Sequence, residues 1–154
     1  METLIAFLGR YLVILSAAVL VGKVVYFNFF VSPVLNRILE TETRIKVTGA
    51  LFPRYYYLGI ACGLVIVIAG NFLQIQFQRW TAIGLAVPVV AMEALCRFYF
   101  LPRLNRLKSV IEQLPKEERK TSPEGREWKK QQKITLRLNL AVLIAGLILI
   151  ARMT

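Results

Sequence analysis

The chain has 154 residues, is 56% hydrophobic with a mean hydropathy of +0.56, and carries a net charge of +11 from 20 basic and 9 acidic residues. That is too apolar for an ordinary soluble domain, and the absence of histidine excludes histidine-ligated haem and nucleophiles that need an imidazole base. The positive excess fits a membrane protein whose basic residues gather in loops on one side; with no RNA- or DNA-binding motif beside it, nucleic acid is not an expected partner.

A helix crosses a bilayer core with roughly 20 apolar residues. Four runs qualify: Tyr11–Val34, Tyr55–Leu73, Trp80–Leu101 and Ile134–Ala151. They are continuously apolar rather than alternating, which argues against a spanning β-barrel. The first run is too long for a signal-peptide core and has no small-residue cleavage site, so it is expected to persist as a helix. Residues 36–54 read as a loop. The connection Gln74–Arg79 is short enough to make the second and third helices antiparallel neighbours. Beyond Leu101, Leu104, Leu107, Ile111 and Leu114 keep a helical apolar spacing, and Pro115 ends it. Ser122 reads as an N-cap, with Pro123 at the first helical position and Glu124 in the first turn. The fourth helix is therefore expected to start near Pro123. Residues 102–133 form a hairpin extension with a charged tip at Lys116–Thr121. That extension reads either as a solvated projection or as a docking surface for a partner or anionic headgroups; a loop charge excess favours the first.

Fourteen basic residues lie in segments 36–54 and 102–135, against Arg10, Arg79 and Arg152 on the other side. The positive-inside rule then puts both segments in the cytoplasm and both termini outside, as in a bacterial-type inner membrane protein. Tyr11 and Trp80 mark the outer edge, and Tyr55, Tyr56, Tyr57 and Tyr99 the inner edge.

The chain also repeats itself. Pro33-Val34-Leu35-Asn36-Arg37-Ile38-Leu39 returns 69 residues later as Pro102-Arg103-Leu104-Asn105-Arg106-Leu107-Lys108. A shift of 69 lays the first helix on the third. A shift of 83 lays the second on the fourth, with Arg54 on Arg137 and Gly63-Leu64 on Gly146-Leu147. Chance similarity at membrane edges is the competing reading; the shared Pro-x-Leu-Asn-Arg in matching slots favours duplication. Both hairpins start on one side, so the repeat is parallel. The expected fold is an all-α integral membrane four-helix bundle built from two parallel-repeat hairpins, one transmembrane domain over residues 1–154.

Several pieces together resemble a known family: Phe30-Val31-Ser32, Leu51-Phe52-Pro53-Arg54-Tyr55-Tyr56, Arg97 with Leu101-Pro102-Arg103, and Asn139-Leu140. In order and spacing the chain is similar, over most of its length, to the small membrane proteins related to transmembrane protein 205. The resemblance implies a four-helix membrane protein with no established biochemical activity. Those proteins tend to carry His-Gly before the last Asn-Leu; Gln132-Lys133 stands there in this chain.

Ionisable groups inside a membrane are costly and normally face the bundle interior with partners. Lys23 and Glu93 lie at nearly one depth, and Arg97 follows Glu93 by four residues. A Lys23–Glu93–Arg97 cluster is expected, either fixing the packing or forming a polar site or ion path. Gly59 and Gly63, and Ala18 and Gly22, have the spacing that lets helices approach closely, within the chain or between copies. Cys62, Met92 and Cys96 are soft enough to consider Cu(I), but in a packed bundle such residues are ordinarily packing; no metal or cofactor is expected. No catalytic machinery is recognisable. The expected role is a non-enzymatic accessory or scaffold subunit in the lipid bilayer, beside other membrane subunits or copies of itself. The alternatives are a small oligomeric transporter or channel component lined by Lys23, Glu93 and Arg97, and a subunit contacting pigment or quinone through its aromatic residues.

Overall fold

The computed structural model describes residues 2–39, 41–115, 117–119 and 121–154, without the side chains of Glu2, Thr3, Asn36, Thr41, Glu42, Arg44 and Ile45. Lys116 and Lys120 of the expected charged tip lie outside the described residues, as does the Arg44 side chain. The described residues form helices and turns, with no strand. They are α1 (Glu2–Val25), a π-helical segment (Tyr26–Val31), α2 (Ser32–Ile38), α3 (Thr41–Gly70), α4 (Gln76–Leu95), a second π segment (Cys96–Phe100), α5 (Leu101–Gln113) and α6 (Pro123–Met153). Four helical stretches, Leu4–Leu35, Lys46–Gly70, Gln76–Gln113 and Pro123–Met153, are long and apolar enough to cross a membrane. Large apolar side chains such as Phe7, Leu15, Phe29, Ile68, Phe98 and Leu140 face outward. The protein is an all-α membrane bundle, in which lipid takes up the outward apolar faces.

Two stretches depart from the sequence reading. Segment 36–54 is mostly helix, because α3 begins at Thr41 and carries Pro53 within it. The preceding helix, α2, ends in an extended C-cap at Leu39. The second apolar run, expected to reach Leu73, leaves helix at Gly70; Asn71, Phe72 and Leu73 donate to Ile68, Ala69 and Gly70 in a tightened last turn. At the hairpin, α5 stops at Gln113 with Leu114 extended before Pro115, as the residue before proline requires. Ser122 caps α6 by accepting from the Gly125 amide at 3.1 Å. Arg119 donates to the Leu114 and Glu112 carbonyls that end α5, a favourable place for a cation.

The duplication is visible in the backbone. Pro33 and Pro102 lack an N–H, and each ring would strike the carbonyl four residues before it. Each follows a π turn that opens the ladder: the Ser32 amide reaches Phe27 O, and the Leu101 amide reaches Cys96 O. Both bonds span five residues, and they are related by the repeat shift of 69.

The four spanning rods neighbour one another in the cyclic order α1, α3, α4, α6. Exchanging the hairpins maps this ring onto itself, so the approaches of α3 to α4 and α1 to α6 are equivalent. The same pair of residue types makes both. A Cβ on Gly63 would meet Val90 Cγ2 at 2.5 Å, and a Cβ on Gly146 would meet Val21 Cγ2 at 2.8 Å. Gly63 and Gly146 are related by 83, and Val21 and Val90 by 69. Between these contacts lies a core rich in small residues, including Ala17, Ala69, Ala82, Ala86 and Ala145, which lets the backbones come close. At the end bearing both termini, Arg10 of α1 donates to Met153 O and Thr154 O, clasping the C-terminus of α6 at 2.5 and 3.0 Å.

Gly146, rather than the Ala18–Gly22 pair, carries the α1–α6 contact. Ala18 and Gly22 are exposed, and a Cβ on Gly22 would meet nothing within 4 Å. Gly22→Ala should therefore be neutral or stabilise by up to about 1 kcal/mol through helix propensity. Gly146→Val should cost about 1–3 kcal/mol by overpacking against Val21. Unfolding in mild detergent followed by circular dichroism checks both; equal effects would place the α1–α6 contact elsewhere.

Candidate functional site: a buried polar axis

Lys23 reaches inward from α1 and Glu93 from α4, helices that stand diagonally across the ring. They meet at its centre, with Nζ 2.5 Å from Oε1 and side chains only 5% and 1% exposed. Neither could approach without α3 yielding space, and Gly59 yields it. A Cβ there would overlap Lys23 Nζ and Glu93 Cδ, and would lie 2.6 Å from Glu93 Oε1. The ammonium is further held by the Tyr55 carbonyl at 3.4 Å and by the Tyr55 ring, whose centroid is 4.2 Å away. In so dry a place the ion pair is viable only because each charge has the other.

The other diagonal is closed by polar groups too. Tyr56 of α3 pairs with Asn139 of α6 and with Cys96 at the start of the second π segment. Tyr56 and Asn139 are themselves related by the shift of 83, so equivalent positions meet each other at the centre. The protein thus has a polar axis of two neighbouring layers, Lys23–Glu93 and then Tyr56–Asn139–Cys96 on the hairpin side. Three buried polar atoms beside it, Glu93 Oε2, Tyr55 OH and Arg97 Nε, have no hydrogen-bond partner.

Arg97 is not part of the ion pair. Its guanidinium lies over the rings of Tyr57 and Phe98, at 4.9 and 5.5 Å from their centroids. The four-residue spacing from Glu93 would align the two on a regular helix, but the π turn beginning at Cys96 changes the rotation between them. Gly59 and Gly63 both sit at contacts of α3, the first against the ion pair and the second against Val90. Ala18 and Gly22 take no part. Cys62 and Cys96 are buried free thiols packed in separate clusters, with Met92 packed at the margin of the first.

Tyr55, Tyr56 and Asn139 entered the sequence reading as pieces of the family resemblance, and the tyrosines as belt residues, but not as members of a polar axis. The equivalence of 56 and 139 under the repeat shift was the available signal. Two further polar side chains are held locally. Asn28 and Asn71 donate to the carbonyls of Val24 and Val67 on their own helices. A groove of about 270 Å³ lies between α1 and α3 near the terminal end, lined by apolar residues including Leu8, Leu12, Val65 and Phe72. None of Ser16, Lys23, Asn28, Asn71, Glu93 or Arg97 lines it.

A family described as Domain of unknown function (DUF4149) matches residues 15–113. That span takes in most of α1 through α5, with both π segments, Lys23, Tyr55, Gly59 and Glu93. No curated protein and no solved structure matches the chain. Nothing in these findings connects it to the proteins related to transmembrane protein 205; what stands of that resemblance is a membrane protein without an assigned activity.

Removing one partner of the ion pair should strand the other. Lys23→Met or Glu93→Leu alone is expected to cost about 3–5 kcal/mol, and the two together much less than their sum. Gly59→Ala should destabilise the wild type by about 1–3 kcal/mol, and less in the doubly substituted background. Denaturant titration in micelles measures the cycle. Additive single effects would mean that the charges do not interact.

Proposed function

We propose, on the premise that the chain belongs to the family described as Domain of unknown function (DUF4149), that it is a non-enzymatic accessory or scaffold subunit of a larger membrane assembly. The observation that carries this reading is the closure of the deep polar groups on one another. A conduit would spend Lys23 and Glu93 on a wetted path; here they meet each other at 2.5 Å on the axis, wedged against Gly59. Four spans, a small-residue core and large outward apolar faces suit a protein whose partners are lipid and other membrane subunits. The absence of histidine and aspartate from the sequence leaves few groups for acid–base or nucleophilic chemistry.

Its orientation follows from charge. Fourteen basic residues against three place the α5–α6 hairpin in the cytoplasm and both termini outside, in a bacterial-type inner membrane. A cysteine introduced at Thr121 should then react with impermeant maleimide only from the cytoplasmic side, and one at Gln76 only from outside. The opposite labelling would invert the topology.

Purification from native membranes in mild detergent tests the role. A subunit should leave the column with stoichiometric companion polypeptides. A homo-oligomer alone would contradict the reading and favour a conduit formed between copies.

A further inference from the structure

One face of α6 is unpartnered along its whole length. Its other sides pack on α1, α4 and α5. On the free face, Arg126, Lys130, Lys133, Arg137, Leu140, Ile144, Leu147 and Ala151 follow one another by alternating steps of four and three, and every one is exposed. That alternation is the seam of a helix that takes a second helix alongside. Lys129 and Ile148, also exposed, widen it. The seam changes character once, at Arg137: cationic toward the hairpin tip, apolar toward the C-terminus. No acid lies on it. Glu124 points to the packed side, and Glu127 is engaged by Arg103 and Gln131. Among the described residues none of the five cations has an ion-pair partner.

From this face we infer that α6 docks a transmembrane helix of a partner subunit whose extension beyond the bilayer carries carboxylates at matching steps. This deepens the accessory-subunit reading and rests on it. Length argues against lipid as the sole occupant of the cationic half. From Arg126 to Arg137 is eleven residues, or about 16 Å of helix, whereas the headgroup layer on each side is roughly 5–8 Å deep. Measured from the start of the apolar run at Ile134, anionic headgroups reach Lys133, Lys130 and Lys129; Arg126, about 12 Å from it, stands clear of them. Charge argues against a second copy. A two-fold axis along the membrane normal would set this seam on itself, cation against cation. An acidic helix satisfies both halves, with its apolar steps against Leu140, Ile144 and Leu147 and its carboxylates against the cations.

The test places a photoreactive benzoylphenylalanine at Lys130 or Ile144, and for comparison at Arg106 on α5 or Val65 on α3, in the full chain in its native membrane. The expected result is one polypeptide captured from both α6 positions, through a segment in which an apolar helix continues into carboxylates. Capture from Ile144 should fall at least about tenfold when Arg126, Lys129 and Lys133 are all changed to Glu. Capture of phospholipid alone, capture of a second copy, or a polypeptide yield unmoved by the charge reversal would each overturn the inference. Polypeptide capture from Arg106 or Val65 but not from α6 would overturn it while leaving the accessory-subunit reading intact. No polypeptide capture from any position would overturn both.

Discussion

The bundle is organised around one ion pair at its centre. Lys23 and Glu93 come from diagonal helices, so their contact is a charged tie that passes through the middle of the ring rather than around it. In the membrane interior, neither charge can be left alone, and Gly59 is small because the pair occupies the space its side chain would take. The pair also joins the two halves of the duplication, one partner from each. That gives it a role in registration: sliding α1 against α4 by one turn would strand both charges, whereas apolar neighbours would tolerate the slip more readily.

The duplication explains what the pair does not. Two prolines force two π turns at equivalent places, and two Gly–Val contacts set the spacing of α1 to α6 and α3 to α4. Symmetry then brings equivalent positions together on the axis, where Tyr56 meets Asn139. The ion pair breaks that symmetry, since the repeat partners of Lys23 and Glu93 are Met92 and Val24. An exact repeat of either charge would have put two like charges near the axis; a lysine in one half and a glutamate in the other make the centre neutral.

Much of this was legible in the sequence for physical reasons. Length and hydropathy mark the spans because a bilayer demands them. Ser122, Pro123 and Pro115 mark the hairpin turn because caps and prolines act locally. The meeting of Lys23 with Glu93 was readable because depth in a membrane can be counted along a helix. Rotation could not be counted so well. Arg97 left the expected cluster because the π turn at Cys96 intervenes, and nothing local in the residues 93–97 reveals it; the signal was Pro102, five residues further on. Ala18–Gly22 lies outside the α1–α6 contact for a related reason: a small-residue spacing shows that helices could approach, not which face they use, and Ala17 with Val21 faces Gly146 instead. Segment 36–54 reads as loop on hydropathy because its polar residues lie on a helix that projects beyond the apolar run.

The central claim is that Lys23 and Glu93 are closed on each other in a dry bundle interior. Solid-state NMR on the protein in lipid bilayers, with nitrogen-15 in lysine and carbon-13 in the glutamate carboxyl, measures it by dipolar recoupling between Lys23 Nζ and Glu93 Cδ. The account predicts strong coupling at direct-contact distance and no transfer of magnetisation from mobile water to either group. Weak coupling, with both groups receiving magnetisation from water, would mean that the two charges line a wetted path, and the closed polar axis would be wrong.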